Sequence, residues 1–331
     1  MNAADPFRSI VGPFAADYLA HMRAIGRAHK NEEFVLRKLD AFLGQIHSDF
    51  TSDSFSAWCQ TQGHVTSGVL RSRMSIVRNM CLYRRRSDPS FFVPDTAHFP
   101  ANHQRIRPYI FTEPEIVRLL DATQTLHPTP NSPLCREVYR LAITLFYTCG
   151  LRLRELVRLT VGDYEPREHT ILVRESKFHK SRLLPLSSDG FRELDAYLEI
   201  RRAKRLSMSP ESPLFWNRHG EGNGYAGVSV FQVISSLYRN TDIRTHDGSL
   251  PRVHDLRHTF AVHALLRWYR SGANVQSKLP YLAAYMGHVS IKSTQYYLHF
   301  IEDIAGCASE RFAKFCGELI TLSSSSEGGV L

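Results

Sequence analysis

The sequence predicts a mainly helical protein of two domains with one small antiparallel sheet, and three observations carry that expectation. Apolar residues recur at helical spacing along most of the chain. The period drops from 3.6 to 2 only between His169 and Leu186. Between Ser87 and Pro108 the helical pattern lapses and prolines stand at 89, 94, 100 and 108, the composition of an extended connection. The length of 331 residues suits two domains. The first is placed at residues 1–105, the second at 106–320, with a Ser/Gly-rich tail at 321–331.

Each element has its own signal. Phe14, Tyr18, Leu19, Met22 and Ile25, then Phe34, Val35, Leu39, Phe42 and Ile46, read as a helical hairpin broken near Gly26. Ser54 to Gln60 suits a short third helix. Ser67 to Tyr83 suits a fourth, whose apolar positions Val69, Leu70, Met74, Val77, Met80 and Leu82 leave Arg71 and Arg78 a stripe to themselves. The second domain opens with Thr112 as a helix cap, Glu115 closing a capping box and Pro114 in the first turn. Helices are expected over 113–123, 133–148 and 152–159, followed by strands over His169–Arg174 and Arg182–Leu186 with Lys177, His179 and Lys180 in the turn between them. Helical patterns resume over 188–204, 228–239, 255–269, 278–286, 290–297 and 301–319.

Composition excludes several classes. Hydrophobic residues at 43% and charged residues at 22% rule out wholesale disorder and a fibrous chain. The longest apolar stretch, Leu141 to Leu151, is interrupted by Thr144 and Thr148 and is about half the roughly 20 residues that cross a bilayer. No basic segment followed by an apolar one opens the chain, so a cytoplasmic, nucleoid-associated protein is expected, with no membrane partner. The cysteines at 59, 81, 135, 149, 307 and 316 form no Cys-x-x-Cys pair and read as buried free thiols. A net charge of +9 and a pI near 9.3 point to a nucleic-acid partner. Arg71, Arg73, Arg78, Arg84, Arg85 and Arg86 stand close together with no acidic residue among them. They are the candidate DNA-binding residues of the first domain, the plainer reading being a solvated helix face.

Five segments of the second domain hold polar residues that composition does not explain: Gly150-Leu151-Arg152-Leu153-Arg154-Glu155-Leu156, Ser176-Lys177-Phe178-His179-Lys180, His254-Asp255-Leu256-Arg257-His258, Gly287-His288 and Tyr296-Tyr297. In this order and spacing they resemble the tyrosine recombinases, the phage integrase and Xer type of DNA strand-exchange enzyme. The likeness runs from about Thr112 to Phe300, and the first domain matches only in helical pattern and length, as a core-binding domain. The resemblance implies a C-shaped clamp on double-stranded DNA at a recombination site. It further implies a homo-tetramer at synapsis, with or without related recombinases, and service to a mobile element or to replicon resolution. An arm-site domain ahead of the core-binding domain is not expected.

The chemistry asks for these residue types. Phosphodiester transfer spreads charge over nonbridging oxygens, where preorganised cations lower the barrier. Arg152 and Arg257 suit that task because the guanidinium donates paired hydrogen bonds and stays charged, and His288 can add another. Tyr297 is the expected nucleophile, forming a 3'-phosphotyrosyl intermediate that needs neither metal nor ATP. A phenol of ordinary pKa near 10 needs help to lose its proton, and His254 is the candidate base. By alignment with the family, Lys177 in preference to Lys180 is the general acid, and Glu155 supports Arg152.

Other readings stand beside these. Arg152 could merely cap its helix or pair with Glu155, and Tyr296 and Tyr297 could be core aromatics. His254 and His258 are spaced like zinc ligands, but Asp255 is too short for the catalytic glutamate of that motif and Arg257 would repel the metal, so no metal site is expected. A type IB topoisomerase shares the chemistry. A non-catalytic sequence-specific DNA-binding regulator would have no need of Tyr297 together with both arginines and Lys177.

Overall fold

The computed structural model describes residues 7–26, 29–101, 107–174, 181–218, 224–288 and 290–300. The chain separates into two units between Ile106 and Arg107. The expected helix over 301–319, the tail, and the turn holding Lys177 and Lys180 lie outside the described residues.

The first unit contains α1 (Gly12–Ala24), α2 (Lys30–Ile46), α3 (Ser52–Gln60) and α4 (Ser67–Arg84). Tyr18, Leu19, Leu36, Leu39, Trp58, Val77 and Met80 form its core. Gly26, at φ +82°, turns the chain after α1. Thr51 and Ser54 open α3 with a reciprocal cap. One expectation for α4 needs correcting: Val69 and Leu82 are exposed, whereas Ile76 and Cys81 are buried. The helix seats the seam of Met74, Val77 and Met80, and the buried Ile76 and Cys81 flank it; Val69 and Leu82 stand off that face.

In the second unit α5 (Glu113–Ala122) starts at the Thr112 cap, whose backbone N–H donates to Glu115 Oε2 at 2.8 Å. α6 (Cys135–Cys149) runs through the core, with Leu141, Ile143, Leu145 and Phe146 buried. Where the sequence predicts a helix over 152–159, α7 (Leu153–Leu156) makes a single turn. A 3-10 turn at Val161–Asp163 follows, opened by Thr160, whose N–H and Oγ1 both donate to Asp163 Oδ2 at 2.9 and 3.0 Å.

The sheet has a strand more than expected. β1 (Tyr164–Glu165), β2 (Thr170–Val173) and β3 (Arg182–Pro185) lie in that order, all antiparallel, with Tyr164 opposite Ile171 and Ile171 opposite Leu184. Alternation buries Ile171, Val173 and Leu184 and leaves Leu183 exposed. β1 is too short for any period to reveal it.

α8 (Ser188–Ala203) and α10 (Val253–Arg270) pack against α6, and α9 (Gly227–Asn240) packs against α5 and α10. α11 (Val275–Met286) begins three residues before the expected 278. Asn274 caps it, and Pro280 sits inside it without a backbone N–H to donate. α12 (Lys292–Gln295) is one turn, continued by a 3-10 segment at Tyr296–Phe300 where one helix over 290–297 was expected. Burial pushes the thiols of Cys59 and Cys149 up to about 11, which keeps them unreactive. Among the described residues no helix is long and apolar enough to cross a membrane.

A buried threonine ties the start of this unit to α10. Thr259 Oγ1 accepts from Phe111 N at 3.0 Å and donates to Asp255 O at 2.8 Å. Thr259→Val keeps the shape but leaves the Phe111 N–H buried without a partner, so stability should fall by about 1 to 3 kcal/mol. Urea unfolding of the two proteins checks this; equal midpoints and slopes would show that the bond contributes nothing.

Candidate active site

Two glycines at helix ends build the frame. α6 ends at Gly150, whose φ of +59° suits glycine, and a Cβ there would lie 2.5 Å from Phe260 Cδ1. Its carbonyl accepts from Arg257 Nη1. α11 ends at Gly287, φ +65°, and the last carbonyls of a helix have no partner within it. Here they find guanidinium groups. Tyr285 O accepts from Arg182 Nε at 2.8 Å, Met286 O from Arg257 Nη2 at 2.7 Å, and Gly287 O from Arg152 Nη2 at 2.9 Å. The negative end of the helix favours these cations.

Glu155 completes the frame. Arg152 is the N-cap residue of α7; its backbone N–H donates to Glu155 Oε2 at 3.0 Å and its Nη1 to Oε1 at 2.6 Å. Arg182 meets the same carboxylate through Nη1 at 3.1 Å and Nη2 at 2.9 Å. Burial works to raise the Glu155 pKa, but the bonds from Arg182 and Arg152 outweigh it and hold the group at about 2. Burial and the neighbouring Arg152 bring Arg257 down to about 9, so it remains charged at neutral pH. Arg152, Arg182 and Arg257 thus face a single carboxylate, and the cluster stays positive.

The spacing of three and four residues puts His254, Arg257 and His258 on one face of α10. Tyr297 is buried among Phe260, Leu265, Leu282 and Met286. Its hydroxyl lies 3.1 Å from His258 Nδ1, and the His254 ring stands edge-on to His258 at 4.8 Å between centroids. Burial raises the Tyr297 pKa while Arg257 and Arg152 pull it back. Burial first, then nearby positive charge, lowers the half-buried His258 to about 3, so it is neutral at working pH; the same influences pull His254 downward, though that residue remains exposed to solvent. His288 bonds Thr294 Oγ1 at 2.8 Å, and its ring stacks 6.2 Å from that of Tyr297.

The structure therefore brings Arg152, Glu155, His254, Arg257, His288 and Tyr297 into one cluster. The histidine in contact with the phenol is His258 rather than His254. Sequence reasoning weighed His258 only as a zinc ligand, though its place one turn beyond His254 was the available signal. It also passed over Arg182. Asp255 serves its own helix, accepting from Arg252 N at 2.8 Å and Arg252 Nη2 at 2.7 Å. Among the described residues no group of His, Cys, Asp and Glu is arranged to hold a metal ion.

In the first unit the six arginines divide. Arg71 Nη1 donates to Pro100 O at 2.6 Å, Arg73 bonds Gln62 Oε1, and Arg84 lies over the Phe14 and Phe91 rings. Arg78 is half-buried, and Arg85 and Arg86 are exposed.

Comparison with known proteins points one way. The sequence profile of the Phage integrase family matches residues 110–302. The chain is 30% identical over 285 residues to y4rB of Sinorhizobium fredii, a protein named as a candidate integrase/recombinase, covering 85% of this chain and 90% of that one. It is 29% identical over 158 residues to the tyrosine recombinase XerC of Chlamydia pneumoniae, which covers 48% of this chain and 46% of XerC. Among solved structures, the Tn1549 transposon integrase in complex with transposon right end DNA matches at a TM-score of 0.62 and 18% identity, covering 91% of this chain and 99% of that one. The XerH recombinase bound to its difH substrate matches at 0.62 and 16%, covering 89% and 83%. At these identities the structural likeness is one of fold.

Gly150→Ala tests the frame. The left-handed backbone costs an L-residue roughly 1 to 2 kcal/mol, and the added Cβ must displace the Phe260 ring. Thermal unfolding should come several degrees earlier; an unchanged midpoint would mean that neither constraint operates.

Proposed function

The chain belongs to the phage integrase family, the tyrosine recombinases, and from that premise we propose that it cuts and rejoins duplex DNA at specific sites through a 3'-phosphotyrosyl intermediate. The carrying observation is that the buried Tyr297 and Arg257 share one cluster with Arg152, His254, His258 and His288. Tyr297 Oη attacks phosphorus as the bond to the 5' oxygen breaks. The phenolic proton passes to His258, the nearest acceptor, with His254 packed behind it. A phosphate's negative charge offsets the nearby cations, which after burial are what holds these histidines down. Lys177, outside the described residues, protonates the leaving 5' oxygen. Arg152 and Arg257 stabilise the charge that develops on the nonbridging oxygens, with His288 donating beside them. The energy of the broken bond is kept in the phosphotyrosine for rejoining.

The first unit serves as the core-binding domain, with Arg85, Arg86 and the edges of the other arginines toward DNA phosphates, and Lys180 adding to the contacts of the second. Four protomers at synapsis, firing in pairs, exchange strands between two sites on chromosomal or mobile-element DNA in the cytoplasm. The likeness to an integrase of a transposon and to XerH bound to its substrate supports this reading.

A nicked suicide substrate tests it. In EDTA throughout, the protein should form a covalent adduct at Tyr297 that Tyr297→Phe abolishes and Tyr296→Phe retains. Arg152→Ala should slow adduct formation on the order of 100- to 1000-fold, about 3 to 4 kcal/mol, with half-site affinity kept. Arg257→Ala should lose stability as well, because its guanidinium holds the Gly150 and Met286 carbonyls. No adduct, or a metal requirement, would overturn the reading.

A further inference from the structure

We infer that Arg182 is a positioning residue of strand cleavage, holding the Glu155 carboxylate so that Arg152 keeps donors to present to the scissile phosphate. The inference rests on the recombinase reading and deepens it. All three Arg182 nitrogens are engaged: Nη1 and Nη2 grip the two Glu155 oxygens at 3.1 and 2.9 Å, and Nε donates to Tyr285 O at 2.8 Å. Its side chain is only 11% exposed. Arg182 is therefore occupied inside the protein, and its effect passes through Glu155.

The reason lies in a competition between forks. A buried carboxylate with one arginine beside it commonly takes two nitrogens of that arginine at once, as Asp255 takes Nε and Nη2 of Arg252. Were Arg182 absent, Glu155, 5% exposed, would draw in the whole fork of Arg152. With Arg182 already on both oxygens, the Arg152 guanidinium gives Glu155 a bond from Nη1 alone, and Nη2 is turned to the Gly287 carbonyl. Arg152 thereby keeps its Nε–H and a second N–H on each terminal nitrogen. Gly287 makes room for this, since a Cβ there would lie 2.9 Å from Arg182 Nη1. The carboxylate also depends on Arg182 for its charge: burial raises its pKa, and the Arg182 bond is the largest opposing influence.

Single-turnover adduct formation on the suicide substrate, half-site affinity and thermal midpoint are measured for the full chain, R182K and R182Q. R182Q should cleave about 100-fold slower, the scale of a misplaced catalytic group, with affinity within about twofold. R182K, which keeps the charge without the fork, should recover part of the rate and carries the test if R182Q fails to fold. Because Glu155 loses its depressed pKa in R182Q, its carboxylate protonates as pH falls. The neutral acid no longer holds the whole Arg152 fork, so the deficit relative to the parent should narrow from pH 8 to 6, which a merely structural loss would not produce. In an R152K background R182Q should add little further loss. The deficit should persist when sulfur replaces the 5' bridging oxygen, because a thiolate leaves without a proton.

Wild-type rate in R182Q, equal losses of rate and affinity, a pH-independent deficit or rescue by the sulfur substrate would each overturn the inference while leaving the recombinase reading intact. Failure of the parent chain to form any adduct would overturn both.

Discussion

The last turn of α11 ends with the carbonyls of Tyr285, Met286 and Gly287 aimed at three guanidinium groups, and the rest of the site depends on that contact. A helix end inside a protein must find donors for these oxygens or lose stability. Arg152 comes from the start of α7, Arg182 from the start of β3 and Arg257 from the first turns of α10. One structural need thus gathers residues distant in sequence, and it does so through hydrogen bonds that fix direction as well as distance. Gly150 repeats the device from α6, lending its carbonyl to Arg257.

Gathering cations in a buried place carries a desolvation penalty, and the structure limits it in two ways. Backbone carbonyls solvate the guanidinium groups without cancelling their charge, and Glu155 cancels only part of it. The remaining positive charge would suit the phosphate of the proposed reaction, and its donors are already oriented. The same burial favours a neutral His258 and a protonated phenol. Tyr297 is 3% exposed and bonded to His258, so its hydroxyl is held out of water.

The first unit shows how charge composition can mislead about surface. Arg71, Arg73 and Arg84 spend contacts on Pro100, Gln62, Phe14 and Phe91 and so help to hold their own domain together. Long side chains of this kind bury an apolar stem and can still present a charged edge. A run of arginines in the sequence is a weaker statement about binding than the run suggests.

Periodicity alone determined most of the elements, because an amphipathic helix or strand must repeat its apolar residues to bury one face: α2, α5, α6, α10, β2 and β3 all lie where the spacing puts them. Caps were equally legible, since Thr112 and Glu115 act within one turn. The five short segments carried the family resemblance, and Arg152, Arg257, His288 and Tyr297 do meet. What the sequence could not decide was pairing across the fold. The strand β1 is too short to have a period, and the start of α11 depended on Asn274 rather than on any apolar repeat. That His258 rather than His254 touches Tyr297, and that Arg182 shares Glu155 with Arg152, follow from where α10, α12, β3 and α7 pack in space. Such contacts join residues up to 39 apart and are set by tertiary geometry, which leaves no local signature in the chain.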